Sequence, residues 1–108
     1  MRKIGFALLM LSCSGASALA EAADARVERG ETLARALCAP CHAVGKDGQS
    51  PHDGAPAFRA LNERVDLDSF MERLRQGLTS AHGDMPTFRF AREDARDLIA
   101  YLRSVQGP

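Results

Sequence analysis

Residues 36–45, ALCAPCHAVG, place two cysteines and a histidine within five positions. That grouping suits three chemistries: a redox-active dithiol, a zinc site, or the covalent attachment of a haem. A dithiol oxidoreductase sets C-x-x-C beside a βαβ unit, and this chain shows no strand-like alternation of apolar and polar residues. Structural zinc takes four protein ligands. Beyond Cys38, Cys41 and His42 the same region offers only His52 and His82, and His42 is awkwardly placed to close a tetrahedron with the adjoining Cys41. C-x-x-C-H, in contrast, is the c-type haem signature. Two cysteines three positions apart share one helical face, so both thiols can reach the vinyl groups on one side of a porphyrin, and the next residue turns its imidazole under the iron. On this reading Cys38 and Cys41 tether one haem c, and His42 is its proximal ligand.

Upstream, the chain begins with Arg2 and Lys3, continues with an apolar run over residues 4–11, and reaches the small-residue pattern Ala18-Leu19-Ala20. A basic n-region, a short apolar run and an A-x-A site make a secretory signal. The run is shorter than the roughly 20 residues that span a bilayer. The expectation is a signal over residues 1–20, cleaved after Ala20, and a single periplasmic domain over residues 21–108. A retained anchor helix fits the small-residue tail poorly, and Met10-Leu11-Ser12 is a poor lead-in for lipidation at Cys13. Cys13 departs with the signal, leaving Cys38 and Cys41 as the only thiols. A disulfide between them would be permitted by export but would cross-link almost no chain and so add little stability.

Cleavage leaves 12 basic residues against 14 acidic ones, and Lys46 is then the only lysine. With no basic stripe, nucleic acid is excluded as a partner class, and nothing beyond the signal would insert stably into a membrane. The domain is short of core: it has no Trp, and its aromatics are Phe58, Phe70, Phe88, Phe90 and Tyr101. A chain this small commonly needs a metal, disulfide or cofactor to complete its interior.

Three segments have helical periodicity. Residues 24–37 align Val27, Gly30, Leu33, Ala34 and Leu37, with charges opposite. Gly30 stands out, since a mid-helix Gly costs about 1 kcal/mol relative to Ala; it marks either a close helix crossing or simple tolerance. The segment VDLDSFMERLRQGL lines up Leu67, Phe70, Met71, Leu74 and Leu78, with Asp66 suited to cap its start and Gly77 its end. AREDARDLIAYLRSV presents Ala95, Leu98, Ile99, Leu102 and Val105, flanked by Tyr101, with Glu93, Asp94 and Asp97 near its start and Arg103 near its end, as the helix dipole favours. Gly-, Pro- and Asp-rich loops separate them. The fold class is all-α.

A second axial ligand must come from Met71, Met85, His52 or His82. Met71 lies on an apolar helix stripe and reads as core; His52 sits in a polar loop and reads as solvated. Met85 lies in HGDMPTF, a polar loop stiffened by Pro86, where a thioether has reason to point inward. Met85 is the favoured ligand, with His82 or an open site as the alternatives. A thioether favours ferrous iron, so His/Met ligation raises the reduction potential. With both axial positions filled, the iron can only change charge, which makes the task electron transfer.

Over residues 27–105 the chain resembles the class I c-type cytochromes, particularly small bacterial periplasmic ones. RGETLARALCAPCHAVG, APAFRAL, HGDMPTF and DLIAYLRSV occur in that family's order. The resemblance implies a cytochrome c fold: three main helices and loops wrapped around one haem, the first and last helices crossing at Gly30 with Tyr101 packed there. It implies that a Pro carbonyl accepts the His42 Nδ1–H, with Pro56 the best match and Pro51 the alternative. Where the family often has an aromatic this chain has Ala34, which predicts a thinner helix contact. Arg59 is a candidate partner for a haem propionate, or else a solvated side chain. The lysine ring of mitochondrial relatives is absent. The implied function is that of a monomeric one-electron carrier between redox proteins, a membrane complex or dehydrogenase donating and an oxidase or reductase accepting. The alternatives are a gas-binding module with a labile Met85 and a dissociable haem subunit of an oxidoreductase. An enzyme would need an acid–base residue on an open distal side, for which His82 is the only candidate, and no catalytic residue is expected.

Overall fold

The computed structural model describes Gly5, residues 14–78 and residues 83–107. Three α-helices and one 3-10 helix make up the fold: α1 (Ser14–Leu37), the 3-10 helix (Phe58–Glu63), α2 (Leu67–Gln76) and α3 (Arg92–Val105). No strand occurs among the described residues, where Leu78 and Phe88 form an isolated antiparallel bridge. The chain is thus all-α.

Helix α1 begins ten residues before the expected start at residue 24. Its added turns are Ala-rich, and Ala has the highest helix propensity of any residue. Residues 15–24 are all exposed, so propensity alone carries them. The rest of α1 packs on α3, and Gly30 is the point of closest approach. A Cβ built there would stand 1.9 Å from the Asp97 carbonyl oxygen and 2.7 Å from the Tyr101 Cβ. The close-crossing reading of Gly30 is therefore correct. Ala34 and Ala95 are both fully buried, so the small residue at 34 gives a tight crossing rather than a thin one.

Asp97 does not serve the helix dipole as its position suggested. It is 4% exposed and faces α1, where Arg29 Nε donates to its Oδ2 at 3.0 Å and Arg26 Nε lies 3.5 Å from Oδ1. The carboxylate raises the pKa of the Arg29 guanidinium above its ordinary value, through the hydrogen bond first and its charge second. Tyr101 lies within the core at 4% exposure rather than flanking it, and its hydroxyl donates to the Val44 carbonyl at 2.7 Å.

Helix α2 is bounded as its sequence indicates. Asp66 accepts from the Asp68 backbone N–H at 2.8 Å, and the Gly77 N–H closes the last turn on the Arg73 carbonyl at 3.0 Å. Gly77 has φ 122°, a value that suits a residue without a Cβ. Leu67, Leu74 and Leu78 are buried; Phe70 and Met71 pack on the core from its edge. At the far end of α3, one side chain ties that helix to the 3-10 helix. Gln106 Nε2 donates to the Phe58 and Leu102 carbonyls at 2.6 and 2.8 Å, while its Oε1 accepts from the Asn62 N–H at 2.9 Å.

Candidate haem-binding cleft

The CAPCH motif forms a helical turn that continues α1. The Cys38 N–H donates to the Ala34 carbonyl at 2.8 Å, and the His42 N–H donates to the Cys38 carbonyl at 2.9 Å. Cys38 and Cys41 therefore stand side by side, both as free thiols. Burial, with a smaller contribution from Cys41, pushes the Cys38 thiol up to about 11. Dithiol oxidoreductases depress a thiol pKa to make an attacking thiolate; this site does the reverse. Among the described residues, no three His, Cys, Asp or Glu side chains group as metal ligands.

After the motif the chain folds back on itself. The Ala43 N–H donates to Ser50 Oγ at 3.0 Å, the His52 N–H to the Cys41 carbonyl at 3.1 Å, and the Phe58 N–H to the Ala43 carbonyl at 2.9 Å. This closed loop brings Pro56 against His42, whose Nδ1 lies 2.7 Å from the Pro56 carbonyl oxygen. A carbonyl can only accept, so Nδ1 carries the proton and Nε2 keeps its lone pair for a metal. Pro56, not Pro51, is the partner. The Phe58 ring, buried, lies 5.3 Å from the imidazole centroid to centroid and limits its rotation.

Met85 reaches the cleft from a separate loop. Its loop leaves the end of α2 and is pinned at its base by the Leu78 N–H to Phe88 carbonyl bond, 2.7 Å, and by the Phe90 N–H to Leu74 carbonyl bond, 2.9 Å. The stacked rings of Phe88 and Phe90, 6.0 Å apart, stiffen the same base. Met85 is half-buried and packs against the core.

Cys38, Cys41, His42 and Met85 together line one cleft of about 320 Å³, walled also by Pro40, Pro86 and Phe88. That volume lies in the range of cofactor sites, whose walls are largely apolar with a few placed polar groups. The donor set suits a haem c: two free thiols three positions apart, an imidazole with its metal-binding nitrogen released, and a thioether in the same cleft. The residues present fit the group.

Three sequence expectations need adjustment here. Leu37 is 40% exposed and stands at the cleft wall instead of in the core. Arg59 donates to the Gly48 carbonyl at 2.7 Å, bracing the loop after the motif, and neither projects freely into solvent nor lines the cleft. His52 also lines the cleft, and its Nε2 lies 3.5 Å from Asp84 Oδ2 across the mouth. Asp84 and Phe58 went unremarked as site residues in the sequence, and only Asp84, next to Met85, carried a positional signal. Met71 stays on the core edge, as its stripe predicted; His82 lies outside the described residues.

Residues 25–102 match the family model described as cytochrome c oxidase, cbb3-type, subunit III. The chain belongs to this family of small c-type cytochromes: it is an electron carrier that uses haem c and works with redox partners. Among known proteins it is similar to cytochrome c-552 of Bradyrhizobium diazoefficiens, with 35% identity over 98 residues, covering 91% of this chain and 90% of that protein. Among the described residues, no helix is long and apolar enough to cross a membrane.

Proposed function

We propose that this chain is an exported, single-haem electron carrier of the periplasm, with residues 1–20 removed as a signal and the iron held between His42 and Met85. Cys38 and Cys41 carry the thioether links. The observation that supports this most directly is the 2.7 Å contact between His42 Nδ1 and the Pro56 carbonyl, which frees Nε2 for iron. Haem supplies the one-electron couple when bound, and the protein's part is to hold that couple in a fixed, dry setting.

Each residue has a defined share in that task. The Pro56 carbonyl holds the Nδ1 proton and so raises the basicity of Nε2. Phe58 limits rotation of the imidazole, and a fixed ligand geometry means little reorganisation when the charge changes. Met85, which lines the same cleft, would offer the iron a soft donor that favours the reduced state. Phe88, half-buried, adds an apolar wall beside it.

Absorption spectra of the exported, haem-loaded protein test the reading. Thioether ligation gives a weak far-red band in the ferric protein, and the ferrous protein should ignore carbon monoxide. Met85→Ala should abolish the band, admit carbon monoxide and lower the potential while the haem stays covalently attached. An unchanged six-coordinate spectrum in that variant would remove Met85 from the ligand set. Carbon monoxide binding by the unaltered protein would favour a gas-binding module instead.

A further inference from the structure

The cleft mouth combines exposed apolar residues with charge of one sign. Leu37, 40% exposed, is one of two large apolar side chains that stand out from the described surface; Pro40 and Pro86, both exposed, line the same cleft. Asp53 and Asp84 line it too, and no lysine or arginine does. Asp53 has no ion pair among the described residues, and Asp84 meets only His52.

Seven of the arginines are engaged elsewhere. Arg26 and Arg29 serve Asp97, and Arg35, Arg75 and Arg96 pair with glutamates along their own helices. Arg103 pairs with Asp68, and Arg59 is held by the Gly48 carbonyl. Lys46, Arg64, Arg73, Arg89 and Arg92 are exposed without an ion pair among the described residues, but none lines the cleft, so the carboxylates at the cleft itself are unopposed there by any lysine or arginine.

We propose that the cleft mouth is the docking surface for a redox protein whose own electron-exchange face is rimmed with lysine or arginine around an apolar centre. Leu37, Pro40 and Pro86 form the apolar contact, and Asp53 and Asp84 steer and orient the partner. The charge sense is opposite to that of a lysine-ringed cytochrome, which needs an acidic partner. Electrostatic complementarity acts mainly on association rate and orientation, and a small, weak interface suits a transient redox encounter. This inference rests on the carrier reading and adds the class of partner to it.

Electron-transfer rates of the ferrous holoprotein test the proposal, with a cationic oxidant, tris(phenanthroline)cobalt(III), and an anionic one, ferricyanide, at about pH 8 and low salt. A lysine-rich mitochondrial cytochrome c serves as the protein probe. Asp53→Asn/Asp84→Asn should slow the cationic complex and the basic protein by about threefold or more and speed ferricyanide, with the differences fading as salt is added. Asp53→Asn alone, farther in sequence from Met85, should move the rates in the same directions with an unchanged absorption spectrum. The control is Glu28→Gln/Glu63→Gln, which removes the same net charge from exposed positions outside the cleft and should have a much smaller effect.

Equal effects from the two double variants would reduce the phenomenon to net charge and overturn the docking surface. Rates insensitive to both would do the same. In either case a reversible one-electron couple would leave the carrier reading standing. A chain that takes up no haem overturns both together.

Discussion

Gly30 and Asp97 meet so closely that any β-carbon on residue 30 would stand 1.9 Å from the Asp97 carbonyl oxygen. The obstacle is backbone on both sides, and no rotamer change can relieve it. Gly30→Ala must push α1 and α3 apart, breaking the layer that also holds Ala34, Ala95 and Tyr101. Helix propensity argues for the substitution by about 1 kcal/mol, yet the overpacking outweighs it, and a net loss of about 2–3 kcal/mol is expected. Guanidinium denaturation of the holoprotein measures it. Gly45→Ala, with no atom within 4 Å of the added carbon, should change stability by less than about 0.5 kcal/mol.

Tyr101 is the only tyrosine, so its ionisation can be followed without interference from another phenol. Burial, followed by the negative charge of Glu31, holds its pKa above the usual phenol value. An unfolded chain releases the phenol proton at about pH 10, whereas the folded chain retains it to higher pH. The folded state is therefore favoured in full below that range and loses ground as the pH climbs through it. Ultraviolet difference spectra should show delayed phenolate formation in the native protein.

The same residue can be tested by deletion of its donor. Tyr101→Phe leaves the buried Val44 carbonyl without its 2.7 Å partner, at an expected cost of about 1–2 kcal/mol. It should also remove this residue's share of the alkaline instability. Amide exchange over residues 43–58 should quicken.

Gln106 satisfies three backbone groups from two segments. Gln106→Leu keeps most of the bulk and loses all three bonds, so a drop of about 2 kcal/mol is expected, seen as a lower melting temperature. Since the 3-10 helix starts at Phe58, which packs on His42, the far-red absorption of the ferric holoprotein should report whether the disturbance reaches the proposed axial ligands.

Asp97→Asn keeps shape but withdraws the charge shared by Arg26 and Arg29. The arginines are partly exposed, at 34% and 57%, so solvent screens them and the loss should be about 1 kcal/mol. Added salt should weaken the unaltered protein slightly more than the variant.

These cases separate what could be read in the sequence from what could not. The CAPCH turn, the Asp66 cap, the Gly77 stop and the role of Pro56 were legible because each depends on residue type within a short window, or on a family pattern that preserves such a window. Gly30 was legible as an anomaly, a poor helix former in a helical stripe, and its reason came from the crossing helix. Asp97, Leu37 and Gln106 were misread or passed over because periodicity assigns faces but not the ends of contacts between elements. Asp97 finds its arginines 68 and 71 positions away, and Gln106 reaches Phe58 across 48 positions. Leu37 sits on the core stripe by spacing, yet lines the cleft at 40% exposure.

The His42 to Pro56 contact spans 14 residues, while Arg29 to Asp97 spans 68. Closing the shorter loop costs about 1.4 kcal/mol less chain entropy. The thiols, the imidazole and the carbonyl that fixes its tautomer all lie between residues 38 and 56, within one locally closing segment. Loop entropy therefore favours closing this segment, which holds the proposed attachment residues, over docking α3 onto α1.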